Sequence, residues 1–137
     1  MTAFVLDPRI AADSTAVAAL GLSDVRLNAD ARFPWLMLVP RLADAVEIVD
    51  LAKPDRAVLF EEITLVSAAL REATQCYKLN VAAIGNYTRQ LHVHVVARTT
   101  TDAAWPGPVW GAPGAPVAYD PMDRDRLAAR IASLLST

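Results

Sequence analysis

The stretch Gln90-Leu91-His92-Val93-His94-Val95-Val96-Ala97-Arg98 contains both histidines of this 137-residue chain. Its first six positions alternate polar and apolar, the period of a half-buried β-strand. Gln90, His92 and His94 are therefore expected on one face, with Leu91, Val93 and Val95 on the other. Residues two apart on a strand lie about 6–7 Å apart, so two imidazoles there can converge on one small anion. One ring can attack while the other holds or protonates. This strand reads as the chemical centre of the protein.

Upstream, Trp35-Leu36-Met37-Leu38-Val39 is almost wholly apolar, as a strand buried on both faces requires, and Pro40 closes it. Val17-Ala18-Ala19-Leu20 and Val25-Arg26-Leu27-Asn28 read as two short strands around Gly21-Leu22-Ser23-Asp24. Residues 28–34 form a loop that ends in Pro34, and Asp7-Pro8-Arg9-Ile10 suggests an opening turn or short helix. From Pro54 to about Gln75 the period changes to that of a helix: Leu59, Ile63, Val66 and Leu70 share a face, with Glu61, Glu62, Arg71 and Glu72 on others. Pro54 and Asp55 suit its first turn. Lys78 to Ile84 returns to strand character, and Asp120-Pro121 opens a last helix with Leu127, Ile131 and Leu134 on one face. Strands, helix, strands, helix is the order of an α+β fold with a mainly antiparallel sheet.

Between the histidine strand and the last helix, residues 105–116 hold Trp105, Trp110 and a run of prolines and glycines that forbids regular structure. Two indoles must still bury their rings. The loop reads as a lid over exposed sheet, or as an aromatic wall or dimer contact near a ligand, and the two roles are compatible.

Composition narrows the function. The chain is 54% hydrophobic and 20% charged, fitting one globular domain over residues 1–137. Thirteen basic and fifteen acidic residues, without a basic block, argue against bulk nucleic-acid binding. Local donors for a small phosphorylated ligand remain compatible with that balance. Cys76 is alone, so it has no intramolecular disulfide partner. The stretch Met1 to Pro8 lacks a signal-peptide pattern, and no apolar run is long enough to span a bilayer. A cytoplasmic protein is the expectation.

Three readings of the histidine pair stay open at this point. The two residues can be structural. They can bind a metal, although a catalytic zinc site usually has three protein ligands and no third histidine exists. Or one imidazole can be a nucleophile towards phosphorus, since a histidine of ordinary pKa is mostly neutral at pH 7 and needs no further base.

The 90–98 stretch also resembles the signature of the histidine triad (HIT) family of nucleotide hydrolases and transferases, in which three histidines alternate with apolar residues before an arginine. Anchoring on Arg98 puts His94 on the third histidine, His92 on the middle one and Gln90 on the first. Val25 to Asn28, a loop, and Pro34 to Arg41 are similar to the family's paired strands around a nucleoside pocket. The likeness covers roughly residues 15–98, and Trp105 to Gly111 resembles a subset of bacterial members.

The resemblance implies a HIT-like α+β fold: a five-stranded, mainly antiparallel sheet, one long central helix and a carboxyl-terminal helix over about 121–135. It places the catalytic positions at His92, His94 and Gln90. His92 is implied as the nucleophile at the α-phosphate, through a covalent nucleotidyl-histidine intermediate. His94 is implied to bind phosphate and aid the leaving group. Asn86, four residues before the first triad position, is implied to contact phosphate, and Asn28 to hold the ribose hydroxyls. Both amides could instead only shape turns. A small nucleotide ligand, a purine nucleotide, and a homodimer are further implied. No metal or other cofactor is needed for the covalent step.

Two positions depart from the pattern. Gln90 donates and accepts hydrogen bonds but cannot carry a proton, so any tuning of its neighbour changes. Ala97 replaces a common proline. The first departure leaves open a competing class, a nucleotide-binding module with lost catalysis.

Overall fold

The computed structural model describes residues 3–137. Met1 and Thr2, part of the stretch read for a signal sequence, lie outside the described residues. The elements follow in the order α1 (Pro8–Ala12), β1 (Ser14–Ala19), β2 (Ser23–Asn28), β3 (Trp35–Pro40), a 3₁₀ turn (Ile48–Asp50), α2 (Lys53–Thr74), β4 (Lys78–Ala82), β5 (Val93–Arg98) and α3 (Pro121–Leu135). The strands form one sheet in the order β1-β2-β3-β5-β4, with every neighbouring pair antiparallel. This is the expected fold: five strands, one long helix and a carboxyl-terminal helix.

Period-two alternation sorts the two inner strands into two cores. Leu36 and Leu38 of β3, with Val93, Val95 and Ala97 of β5, join Leu59, Ile63, Val66 and Leu70 of α2 and Ile131 of α3 on one face. Trp35, Met37 and Val39, with Val96, join Ile10, Phe33 and Val109 on the other. Partly buried Phe4, Leu6 and Trp110 complete this second layer. The amino-terminal segment and the tryptophan loop therefore cover the sheet face opposite the helices. A strand apolar on both sides, as β3 is, requires both covers.

Three local expectations are corrected. The histidine strand begins at Val93, not Gln90. The last β3–β5 pair is Leu38 with Val93, because β3 is approaching Pro40, which has no N–H, and the Leu91 amide donates instead to the Ala45 carbonyl at 2.9 Å. The first strand runs from Ser14 rather than Val17, with a bulge between Ala16 and Ala18 that alanine-rich sequence does not announce. Glu62 is buried, not on a solvated face. It is 5% exposed, and its Oε2 accepts from the Leu22 amide at 2.9 Å, tying α2 to the β1–β2 turn.

Candidate active site

His94 lies within β5, opposite Met37 on one side and Ala82 on the other. His92 precedes the strand. The two rings meet edge to face with centroids 4.7 Å apart, and the residues are 7% and 6% exposed. Alternation thus brings the imidazoles together as expected. Gln90 lines an adjoining pocket with His92 and Asn86, but both ends of its side-chain amide bond to residues 5 and 7 of the amino-terminal segment.

Hydrogen bonds decide which ring atoms remain for chemistry. His92 Nδ1 lies 2.7 Å from the main-chain carbonyl of Gln90. A carbonyl only accepts, so Nδ1 carries the proton and the neutral ring keeps its lone pair on Nε2. The opposite holds for His94. Its Nδ1 accepts from the Trp35 indole Nε1–H at 2.9 Å, so the neutral ring carries its proton on Nε2. Burial, and then the neighbouring His92, push the His94 pKa down to about 3. At neutral pH it is a hydrogen-bond donor and not an imidazolium acid, which narrows the role expected of it. The site therefore pairs a ring with an Nε2 lone pair and a ring with an Nε2–H.

Both rings line a cleft of about 240 Å³ together with Asn28, Asn86, Arg9 and Trp110. Both expected amide positions are therefore in the same site as the histidines. Asn28 also shapes a turn: its Oδ1 accepts from the Asp30 amide at 2.9 Å, and this leaves its Nδ2 donors for the cleft. Gly85 forms the wall nearest His92. With φ at +60°, a Cβ there would clash with the Thr88 carbonyl at 2.9 Å, while His92 Cε1 at 3.6 Å would be in ordinary contact, so it is the turn itself that requires glycine. Beyond Trp35 and Trp110 the cleft continues into a wider space of about 650 Å³ lined in part by Val109, Pro116 and Val117. A two-part cleft suits a ligand with one phosphorylated and one larger apolar portion.

Trp110 packs edge-on to Trp35 and His94, with centroids at 5.8 and 5.2 Å. The loop is thus both a lid over the second core and an aromatic wall of the cleft. Arg98 holds it in place. This guanidinium, 1% exposed, pairs with both oxygens of Asp102 at 2.8 and 3.0 Å and also donates to Asn80 Oδ1 and the Gly107 carbonyl, each at 2.8 Å. Among the described residues no group of three or more His, Cys, Asp or Glu side chains is placed to hold a metal ion. No helix among them is long and apolar enough to cross a membrane.

Sequence reasoning did not single out Arg9, Asp13 or Trp35 as site residues, although all three line the cleft. For Trp35 a signal existed: an indole at the start of a strand buried on both sides must find an acceptor for its N–H.

An antiparallel five-stranded α+β fold, with paired imidazoles at the start of an inner strand and a covered cleft above them, is that of the histidine triad class. The HIT domain model matches residues 9–101, and the chain belongs to that family. It is similar to a solved histidine triad protein from Bradyrhizobium japonicum, with 46% identity, coverage of 98% of this chain and 99% of that one, and a TM-score of 0.95. Another from Sinorhizobium meliloti gives 45% identity, 95% and 96% coverage and a TM-score of 0.92. One from Marinobacter aquaeolei gives 38% identity, 98% coverage of each chain and a TM-score of 0.94. No curated protein matches the chain.

Proposed function

We propose that this protein cleaves a nucleotide derivative at its α-phosphate, by hydrolysis or transfer, through a nucleotidyl-His92 intermediate. The observation that carries this reading is the bond from His92 Nδ1–H to the Gln90 carbonyl. It leaves Nε2 as the nucleophilic atom beside the Nε2–H of His94. In the first step His92 Nε2 bonds to phosphorus and the bond from phosphorus to the leaving group breaks. The ring becomes positively charged, and its Nδ1–H, already donating to a carbonyl, is stabilised in that form. His94 donates to a phosphoryl or leaving-group oxygen or nitrogen, and the leaving group takes its proton from solvent. Water then attacks phosphorus and gives up a proton to solvent, the Nε2–P bond breaks with its electron pair returning to the neutral ring, and a nucleoside monophosphate departs.

Asn86 is assigned to the phosphate and Asn28 to the ribose, on the strength of their places in the same cleft. A purine base and a homodimer follow from family likeness. For the dimer, β4 is one of the two outer strands of the sheet and exposes Val81. Since the covalent scheme draws on no metal, turnover is expected to survive chelation. Restoration only by added zinc or iron would overturn this scheme.

The test is acid quenching with a labelled adenylyl or guanylyl phosphoramidate. Wild-type protein should trap label that is stable to base and labile to acid. His92→Asn should bind nucleotide without adduct or turnover, and His94→Asn should slow the reaction. Nucleotide affinity without adduct or turnover across a panel of substrates would instead identify a binding module.

A further inference from the structure

The side-chain amide of Gln90 makes two bonds that a neighbouring β-strand would make. Its Nε2 donates to the Val5 carbonyl and its Oε1 accepts from the Asp7 amide, both at 2.8 Å. It thus grips one edge of an extended segment at residues two apart. Asp7 in turn caps α1, its Oδ1 accepting from the Arg9 amide at 2.8 Å. Phe4 and Leu6 pack on the second core, and Ile10 is buried in it. Arg9, the second residue of this short helix, reaches across to the loop before the histidines and donates through Nη1 to the Tyr87 carbonyl at 2.6 Å.

That contact places the guanidinium on the histidine cleft. Arg9 is the one lysine or arginine among the described residues lining it, and Arg89 lines the adjoining pocket that shares His92 and Asn86. The bonded partner of Arg9 is a neutral carbonyl, so its full positive charge remains for a ligand. The need for such a charge is plain, since His94 is uncharged at neutral pH and a nucleotide phosphate in the cleft is anionic. Arg32, lining the outer cleft, is already paired with Asp30 at 2.9 Å.

We infer that the amino-terminal segment is a working part of the phosphate site: Gln90 latches it to the histidine loop, and Arg9 is the cation it delivers to the ligand phosphate. Gln90 is then a positioning residue acting through Arg9, and Arg9 is a ligand-binding one. A histidine at position 90 could not serve as this latch. Its two nitrogens sit on different edges of a rigid ring, whereas the glutamine amide presents donor and acceptor side by side at the end of a flexible stem. The inference rests on the nucleotide reading for the identity of the anion, but the latch itself is independent of it.

Two measurements test it. In the first, ADP and adenosine are titrated calorimetrically into wild type, Arg9→Gln, Gln90→Ala and the double variant. Arg9→Gln should weaken ADP by about tenfold to a hundredfold, the value of a charge-assisted hydrogen bond to phosphate, and leave adenosine affinity unchanged. Gln90→Ala should weaken ADP as well, and the double variant should be no weaker than Arg9→Gln alone, since residues acting as one unit are not additive. Additive losses would reduce Gln90 to a scaffold residue and overturn the coupling. Equal weakening of adenosine, or ADP affinity untouched by Arg9→Gln, would overturn the phosphate role of Arg9 while the nucleotide reading stood. Wild type that bound neither ligand would overturn that reading and the role of Arg9 with it. In the second, hydrogen exchange is followed at the Asp7 amide without ligand. Gln90→Ala should speed it about tenfold or more, the loss of one net hydrogen bond, with Val95 still protected. Unchanged exchange at Asp7 would overturn the latch.

Discussion

The indole Nε1–H of Trp35 donates to His94 Nδ1 across 2.9 Å, so the ring nitrogen that would otherwise take up a proton is already bonded. Trp35 is paired in the sheet with Val96, which puts its side chain on the same face as His94. The indole therefore sets the His94 tautomer and helps keep the ring neutral. Burial, and then the neighbouring His92, are what push the His94 pKa down.

Trp35→Phe removes that donor while keeping most of the aromatic packing. We expect ¹⁵N spectra to change His94 from one Nε2–H tautomer to a mixture of tautomers. Turnover should fall by about tenfold, corresponding to the 1–2 kcal/mol of one buried hydrogen bond. An unchanged tautomer in the variant would show that burial alone orients the ring.

Stability should fall on mild acidification. His94 has a folded pKa of about 3 against an ordinary value of 6.5, so below pH 6.5 the unfolded chain binds a proton that the folded chain refuses. The contribution is complete above pH 6.5 and is lost progressively as pH falls towards 3. Asp102, lowered to about 2 by its hydrogen bonds with Arg98, titrates in the folded state only below that range. Denaturant unfolding between pH 6.5 and 4.5 should therefore lose roughly 2 kcal/mol. The slope should flatten in His94→Asn. A slope unchanged by that substitution would assign the acid sensitivity elsewhere.

Asn28→Ala tests the ribose assignment. With Oδ1 held by the Asp30 amide, the free Nδ2 donors are what the sugar hydroxyls would meet. Affinity for ribonucleotides should drop by about 1–2 kcal/mol relative to their deoxy counterparts. Equal loss for both sugars would leave Asn28 as a turn residue.

Arg98→Met should destabilise the fold by about 3–5 kcal/mol, because it leaves Asp102 nearly buried without its cation. Since Asp102 also accepts from the Ala104 and Trp105 amides, the loop carrying Trp110 should loosen with it. Limited proteolysis between residues 102 and 116 reads this directly. A stable variant with an intact loop would show that packing alone holds Trp110.

Much of this protein is legible along the chain because its signals are periodic. Alternation from Gln90 to Val95 and the apolar run from Trp35 to Val39 define the inner strands, and the three- and four-residue spacing of Leu59, Ile63, Val66 and Leu70 defines the long helix. The pairing of His92 and His94 follows from period two. These are local properties, written within a few residues of one another.

What the chain could not announce are the contacts that give those residues their chemistry. The Trp35 indole and His94 are 59 residues apart, and Gln90 meets Asp7 and Val5 across 83 and 85. A single hydrogen bond between distant residues leaves no periodic trace. Alternation placed Gln90 with the histidines, yet the ladder ends at Val93 and frees its side chain to turn to the amino-terminal segment. Which nitrogen of each imidazole keeps its lone pair, and which cation faces the cleft, was decided only when the folded sheet brought these partners together.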